Sequence, residues 1–282
     1  WSGGAGTWTN DTDVANATYT ADASESGSIT LTLTTSGGSC GTTTDTKSIT
    51  VNENPTVSVG SGLSAICQSG ATAALGGSVG GGATGGTWTS NGSGTVNNPT
   101  DVANATYTAG AAETGSVTLT LTTSGGSCST TSASKSVTVN ANPTASAGSV
   151  LSAICQSGTS AAMGGTVGGG ATGGTWSGGA GTWTNATDVA NATYTASSGE
   201  SGSITLTLTT SGGSCSTTSD TKAITVNANP TASAGSGLSA ICQSGTSAAL
   251  GGSVGGGATG GTWSSNGSGT VNNPTDVANA TY

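Results

Sequence analysis

From Gly115 to Ser124 the chain alternates one for one: Val117, Leu119 and Leu121 fall on one face, Thr118, Thr120 and Thr122 on the other. Period two is the mark of a strand with one face buried, and β-branched threonine suits the outer face of a pleated surface. "SKSVTVN" continues the rhythm with Val137 and Val139, while "AALGGSV" and "ANATYT" add Leu75, Val79 and Tyr107. Turn-rich segments separate roughly seven such short runs, and no run has a helical period. The pattern therefore predicts an all-β antiparallel sandwich of about seven strands with almost no helix, and Trp88 as its large core residue.

The pattern repeats. Cys67, Cys155 and Cys242 are separated by 88 and 87 residues, and Cys40, Cys128 and Cys215 by the same steps. Tyr19, Tyr107, Tyr194 and Tyr282 follow the same period, which is the size of one small domain. Two flavours alternate: "WSGGAGTWTN" at Trp1 and Trp176, and a form one residue longer at Trp88 and Trp263. The segments Asn52–Thr56, Asn140–Thr144 and Asn227–Thr231 each carry a proline that ends an alternating run, so they are read as joints. On this phase residues 1–53 are the back part of a repeat, 54–141 and 142–228 are complete repeats, and 229–282 are the front part of another. Such short joints predict a stiff, rod-like array, and the sequence reads as a window on a longer one.

Composition narrows the chemistry. Twelve acidic residues face three lysines, with no arginine or histidine, and the net charge is -9. Nothing could neutralise a row of phosphates, so nucleic acid is excluded as a partner. The commonest general base and transition-metal ligand are absent. No apolar stretch is long enough to span a membrane.

A core with about ten large apolar side chains needs a staple, and each complete repeat holds two cysteines. Pairing Cys67 with Cys128 and Cys155 with Cys215 closes loops worth ~4 kcal/mol each in the chain-entropy model, with Cys40 and Cys242 paired outside the window. The rival connectivity, Cys40 to Cys67 and Cys128 to Cys155, crosses the joints. Either places the chain in an oxidising extracellular or cell-surface setting.

The order "NPTVSVGSG…ICQSG…ALGGSVGGGATGGTW…NATYT…SVTLTLTTSGGSC…KSVTVN" resembles the PKD-like or immunoglobulin-like tandem repeats of large bacterial, Bacteroidetes-type surface and fibre proteins. The resemblance implies a non-catalytic β-sandwich array acting as stalk, adhesin or matrix fibre, with neighbouring copies of the same repeat as partners in a homopolymer.

Acidic residues recur in phase: Asp13, Asp101, Asp188 and Asp276, and Glu25, Glu113 and Glu200. Oxygen-only side chains suit calcium, the one cofactor this pattern favours, although the bland reading of turn aspartates and solvated glutamates competes with it. Asp101 and Glu113 can be proposed as the paired carboxylates of a glycosidase, but their recurrence in phase favours scaffold use. Lys47, Lys135 and Lys222 are expected on the surface; the rival reading crosslinks Lys135 to Asn104 or Asn140 beside Glu113. Sequons at Asn16, Asn104, Asn191 and Asn279 are better explained as strand and turn residues, and the "GGGATGG" run as a bend, not a phosphate loop. Trp8 and Trp183, replaced by Val96 and Val271 in the other flavour, are core variation or exposed contact aromatics. The expected function is a structural extracellular filament or stalk without enzymatic activity; the alternative is an adhesin for glycans or other cell surfaces.

Overall fold

The computed structural model describes all 282 residues and contains strands and turns but no helix. The chain divides into two compact units, Trp1–Ala141 and Asn142–Tyr282, each of which contains one buried core.

In the first unit the core belongs to residues 54–141, which form eight strands. The alternation seen in the sequence becomes the long hairpin, Gly115–Ser124 against Ser132–Asn140, in antiparallel register from Gly115 opposite Val139 to Thr122 opposite Ser132. Val117, Leu119 and Leu121 are buried and Ser116 and Ser136 are exposed, as period two requires. Gly85–Ser90 adds to one side of the hairpin, with Trp88 opposite Leu121. Ile66–Cys67 adds to the other side beside Val139–Asn140, and this pairing is parallel. The expectation of purely antiparallel pairing fails at this one short strand, because the chain reaches it by crossing from the opposite sheet. That sheet carries Pro55–Ser58 paired with Ser78–Gly81; a further pair joins Thr95–Asn97 to Thr106–Thr108.

The glycine run bends the chain from one sheet to the other. Gly81 sits at φ 60, and a Cβ on Gly82 would strike the Glu53 carbonyl, so the bend packs against the joint only because side chains are missing there. In "ICQSG", Ser69 takes a left-handed conformation and the Gly70 amide donates to the Cys67 carbonyl at 2.8 Å, which closes the turn after the parallel strand.

The second unit repeats the design in 142–228. Gly202–Ser211 and Ser219–Asn227 form the hairpin, flanked by Gly173–Ser177 and the parallel Ile154–Cys155. Met163 stands where the first core has Leu75, and Ile224 where it has Val137, swaps of similar volume that leave both cores fully buried.

Leu119→Ala should cost the 54–141 repeat about 2–5 kcal/mol in urea unfolding followed by tryptophan fluorescence. Thr138→Ala, on the exposed face, should cost less than about 0.5 kcal/mol. Equal losses would contradict one-sided burial of the hairpin.

Candidate functional site

Tyr107 occupies the middle of the three-residue strand Thr106–Thr108, and six residues later Glu113 follows in a tight turn. Both are buried, and the tyrosine hydroxyl donates to Glu113 Oε2 at 2.7 Å. The same carboxylate accepts the Ser93 amide at 2.7 Å and the Gly110 amide at 2.9 Å, while the Gly94 amide donates to the tyrosine oxygen at 3.0 Å. No cation takes part. The negative charge is held by N–H and O–H dipoles, which compensate a buried carboxylate when several converge on it. A Cβ on Gly92 would run into both Glu113 and Tyr107, so glycine is required at the rim.

The other repeats copy this clasp. Tyr194 donates to Glu200, which also accepts the Ala180 amide at 2.9 Å and the Ser197 amide at 3.2 Å. Tyr19 donates to Glu25, which accepts the Ala5 and Asp22 amides. Burial raises the carboxyl pKa of Glu113 and Glu200, but the tyrosine and amide donors outweigh it and hold both below the ordinary value. Burial first, and then the bond to the carboxylate, pushes Tyr107 and Tyr194 up. The sequence separated these partners, assigning tyrosine to the core and glutamate to calcium or solvent. Their constant six-residue spacing was the signal that links them.

The aspartates do different work. Asp101 Oδ1 accepts the Asn104 main-chain amide at 3.0 Å, the Asn104 side-chain Nδ2 donates to the same carboxylate, 3.2 Å from Oδ1 and 3.3 Å from Oδ2, and the Asp101 main-chain amide donates to the Asn98 carbonyl at 2.9 Å. Asn98 is left-handed at φ 50, as are Asn10, Asn185 and Asn273, a conformation asparagine tolerates. Asp13, Asp188 and Asp276 cap the same turn through Asn16, Asn191 and Asn279, and these bonds lower the pKa of Asp13 and Asp188. The aspartate and glutamate sets are thus committed to separate networks, and no group of three or more Cys, Asp or Glu side chains comes together.

Lys135 and Lys222 correct the surface expectation. Lys222 is 8% exposed. Its Nζ donates to the carbonyls of Met163 and Ser149 and lies 5.2 Å from the centre of the Trp176 ring. Lys135 likewise donates to Leu75 and Ser61 and sits over Trp88 at 5.6 Å. Each lysine therefore ties the hairpin, through main-chain oxygens, to the loop segments on either side of the short parallel strand, and burial lowers the pKa of both. Glu113 is engaged elsewhere, so the crosslink geometry with Asn104 or Asn140 is not assembled.

The tryptophans of the alternate flavour are core extensions. Trp183 stacks on Trp176 at 6.0 Å and leans on Tyr194 at 5.2 Å, and Trp8 does the same with Trp1 and Tyr19. Val96 holds the equivalent position opposite Tyr107.

The cysteines correct the staple. Cys67 and Cys215 are disulfide-bonded, whereas Cys40, Cys128, Cys155 and Cys242 are free thiols. The pairs Cys67 with Cys128 and Cys155 with Cys215 are therefore absent, and so are the pairs Cys40 with Cys67 and Cys128 with Cys155. Topology gives the reason. Cys67 lies beside Asn140, at one end of the hairpin, while Cys128 lies in the loop at the other end, 3.6 Å from the Asn52 carbonyl. Seven steps of strand at about 3.3 Å each separate those ends, far beyond the roughly 7 Å that a disulfide spans between Cα atoms. The two sulfurs of one repeat stand at its opposite poles.

No protein-family model and no curated protein matches the chain. Among solved structures, it is similar to a protocadherin gammaB7 EC3-6 cis-dimer structure, at 12% identity over 82% of this chain and 65% of that one, with a TM-score of 0.39. It is also similar to the insect immune protein hemolin, at 13% identity over 71% and 56%, with a TM-score of 0.38. The immunoglobulin domains 1–5 of Sidekick-1 match at 11% identity over 74% and 47%, with a TM-score of 0.29. The chain spans less than two thirds of each.

Tyr107→Phe should cost about 1–3 kcal/mol, because it leaves a buried carboxylate short of a donor. The clasp also sets a pH window. Glutamate with a depressed folded pKa stabilises above its unfolded value, near 4.3, and the gain is lost as pH falls through the folded value. Tyrosine with a raised folded pKa stabilises below its unfolded value, near 10, and the gain is lost as pH rises through the folded value. Thermal midpoints should fall as pH drops below about 5, and at alkaline pH Tyr107→Phe should lose less stability than wild type; an unchanged difference between the two proteins across pH would count against the clasp.

Alkylation before reduction should label Cys40, Cys128, Cys155 and Cys242 and spare Cys67 and Cys215, read by peptide mass spectrometry. Protection of Cys128 and Cys155 would restore the intradomain staple.

Proposed function

We propose that this chain is a segment of an extracellular scaffold, a stalk or filament in which disulfide-bearing β-sandwiches are mechanical spacing units. The observation that carries this reading is the internal commitment of its reactive side chains. The recurring carboxylates are bonded to tyrosine, asparagine and main-chain amides, the buried lysines are bonded to carbonyls, and no buried side-chain nitrogen or oxygen lacks a partner. Catalytic and binding sites keep polar groups available for a ligand. Here Asp101 and Glu113, the carboxylates considered for glycoside chemistry, serve a turn and a clasp. The repetition of these networks in each repeat supports load-bearing use, and the two bonded cysteines support an oxidising location.

Pulling single chains by their ends under reducing conditions should give discrete unfolding events, each releasing about 29–32 nm of extended chain, the length of an 87- or 88-residue repeat at ~3.3–3.6 Å per residue. A featureless extension at low force would remove the mechanical role, and tight, saturable glycan binding by the same chain would favour the adhesin instead.

A further inference from the structure

The turn that follows the short parallel strand takes no part in the clasp or the lysine ties, yet within the unit Asn142–Tyr282 it is where one repeat meets the start of the next. Strand Ser219–Asn227 ends and strand Thr231–Ser233 begins with only Ala228, Asn229 and Pro230 between them. Left open, such a stretch would be a swivel. It is closed by Gln156. The Gln156 main-chain amide donates to the Asn227 carbonyl at 2.9 Å, carrying the pairing of Ile154–Cys155 with Val226–Asn227 one residue further. Its side chain then reaches past the end of the hairpin: Oε1 accepts the Asn229 main-chain amide at 2.8 Å, and the Gln156 carbonyl accepts the Asn229 side-chain Nδ2 at 3.3 Å. Ser157, left-handed at φ 63, and the Gly158 amide, bonded to the Cys155 carbonyl at 2.8 Å, close the turn around this contact.

The following repeat holds the same residue from the other side. The Asn229 carbonyl accepts the Gly257 amide at 3.4 Å. A Cβ on Gly256 would stand 2.0 Å from that carbonyl, and one on Gly257 would stand 2.3 Å from the Ala228 carbonyl, so the bend lies against the joint only because both are glycine. Pro230 fixes its own φ and drives the residue before it toward extended backbone. Asn229 is thus bonded through its N–H and side chain to the preceding repeat and through its carbonyl to the following one.

We propose that Gln156 is a latch that docks the Asn-Ala-Asn-Pro segment, and that through it the front of the following repeat is carried rigidly on the end of the preceding one. The partner it fits is an extended segment that offers a main-chain N–H to Oε1 and a short side-chain donor to the Gln156 carbonyl. Asparagine supplies both, whereas aspartate would bring a carboxylate against that carbonyl. Both residues belong to the repeat and not to one copy of it: glutamine stands in "ICQSG" at Gln68, Gln156 and Gln243, and asparagine precedes proline at Asn54, Asn142 and Asn229.

A fixed joint would serve an adhesin as well as a stalk, so the inference goes beyond the scaffold reading and does not rest on it. Nuclear magnetic resonance on the 282-residue chain tests it. In wild type the Asn229 amide should be protected from hydrogen exchange, and residual dipolar couplings from 142–228 and 229–255 should fit one alignment tensor. Gln156→Ala should quicken exchange at residue 229 about fivefold, the effect of losing one ordinary hydrogen bond, and split the tensor in two, while the buried Leu206 keeps its protection. Gln156→Glu retains an acceptor oxygen in the same place and should behave as wild type. Asn229→Ala lies in the joint and spares the core, so it decides the matter if Gln156→Ala unfolds: exchange there, corrected for the intrinsic rate of alanine, should also quicken. An unprotected Asn229 amide or two tensors in wild type overturns the latch. So does a Gln156→Glu that behaves as Gln156→Ala, or unchanged exchange in Gln156→Ala or, where that variant unfolds, in Asn229→Ala. Either result leaves the pulling events in place, because those arise from unfolding within a repeat.

Discussion

A carboxylate buried without a cation is the constraint around which each repeat is arranged. Removing Glu113 or Glu200 from water is costly unless several donors point at it. Tyrosine from one strand, an amide from the turn before glutamate, and an amide from the loop after the Trp strand converge on each. Those three sources lie in different parts of the chain, so satisfying the charge fixes the loop, the strand and the turn against one another. Glycine at the rim follows from the same demand, since a side chain at Gly92 would occupy the space of the clasp.

This arrangement also explains how so thin a core closes. The apolar cluster of each repeat is small, and sulfur does not lock it, because the two cysteines of a repeat lie at opposite poles of its hairpin. Polar ties through the interior take that part. Glutamate binds the Trp and Tyr strands together, and lysine binds the hairpin to the loops flanking the parallel strand by main-chain carbonyls, its ammonium resting on the tryptophan face. Both ties are directional, whereas apolar burial is not, and a directional tie selects one register where alternating Thr and Leu alone would permit a slip.

Much of the fold was legible because period-two alternation and an 87- or 88-residue repeat are one-dimensional signals. The hairpin and the core tryptophan were written in neighbouring letters. The parallel strand at Ile66–Cys67 was not, since only the crossover between sheets decides its direction. The cysteine pairing failed for a related reason: spacing gives a loop length but not which end of a hairpin each sulfur occupies. Lys222 looked like a solvated strand residue because nothing local says that the loop carbonyls of Ser149 and Met163 will meet it. The tyrosine partner of the glutamates was not legible because an acidic residue in a turn looks identical from the sequence whether water or tyrosine meets it.

A double-mutant cycle on Tyr194→Phe and Glu200→Gln, with unfolding free energies measured at neutral pH, tests the clasp most directly. A hydrogen bond to a buried charge predicts a coupling energy of about 1.5–3 kcal/mol between the two positions. Additivity within about 0.5 kcal/mol would mean that the carboxylate does not depend on the tyrosine, and the account of how each repeat closes would fail.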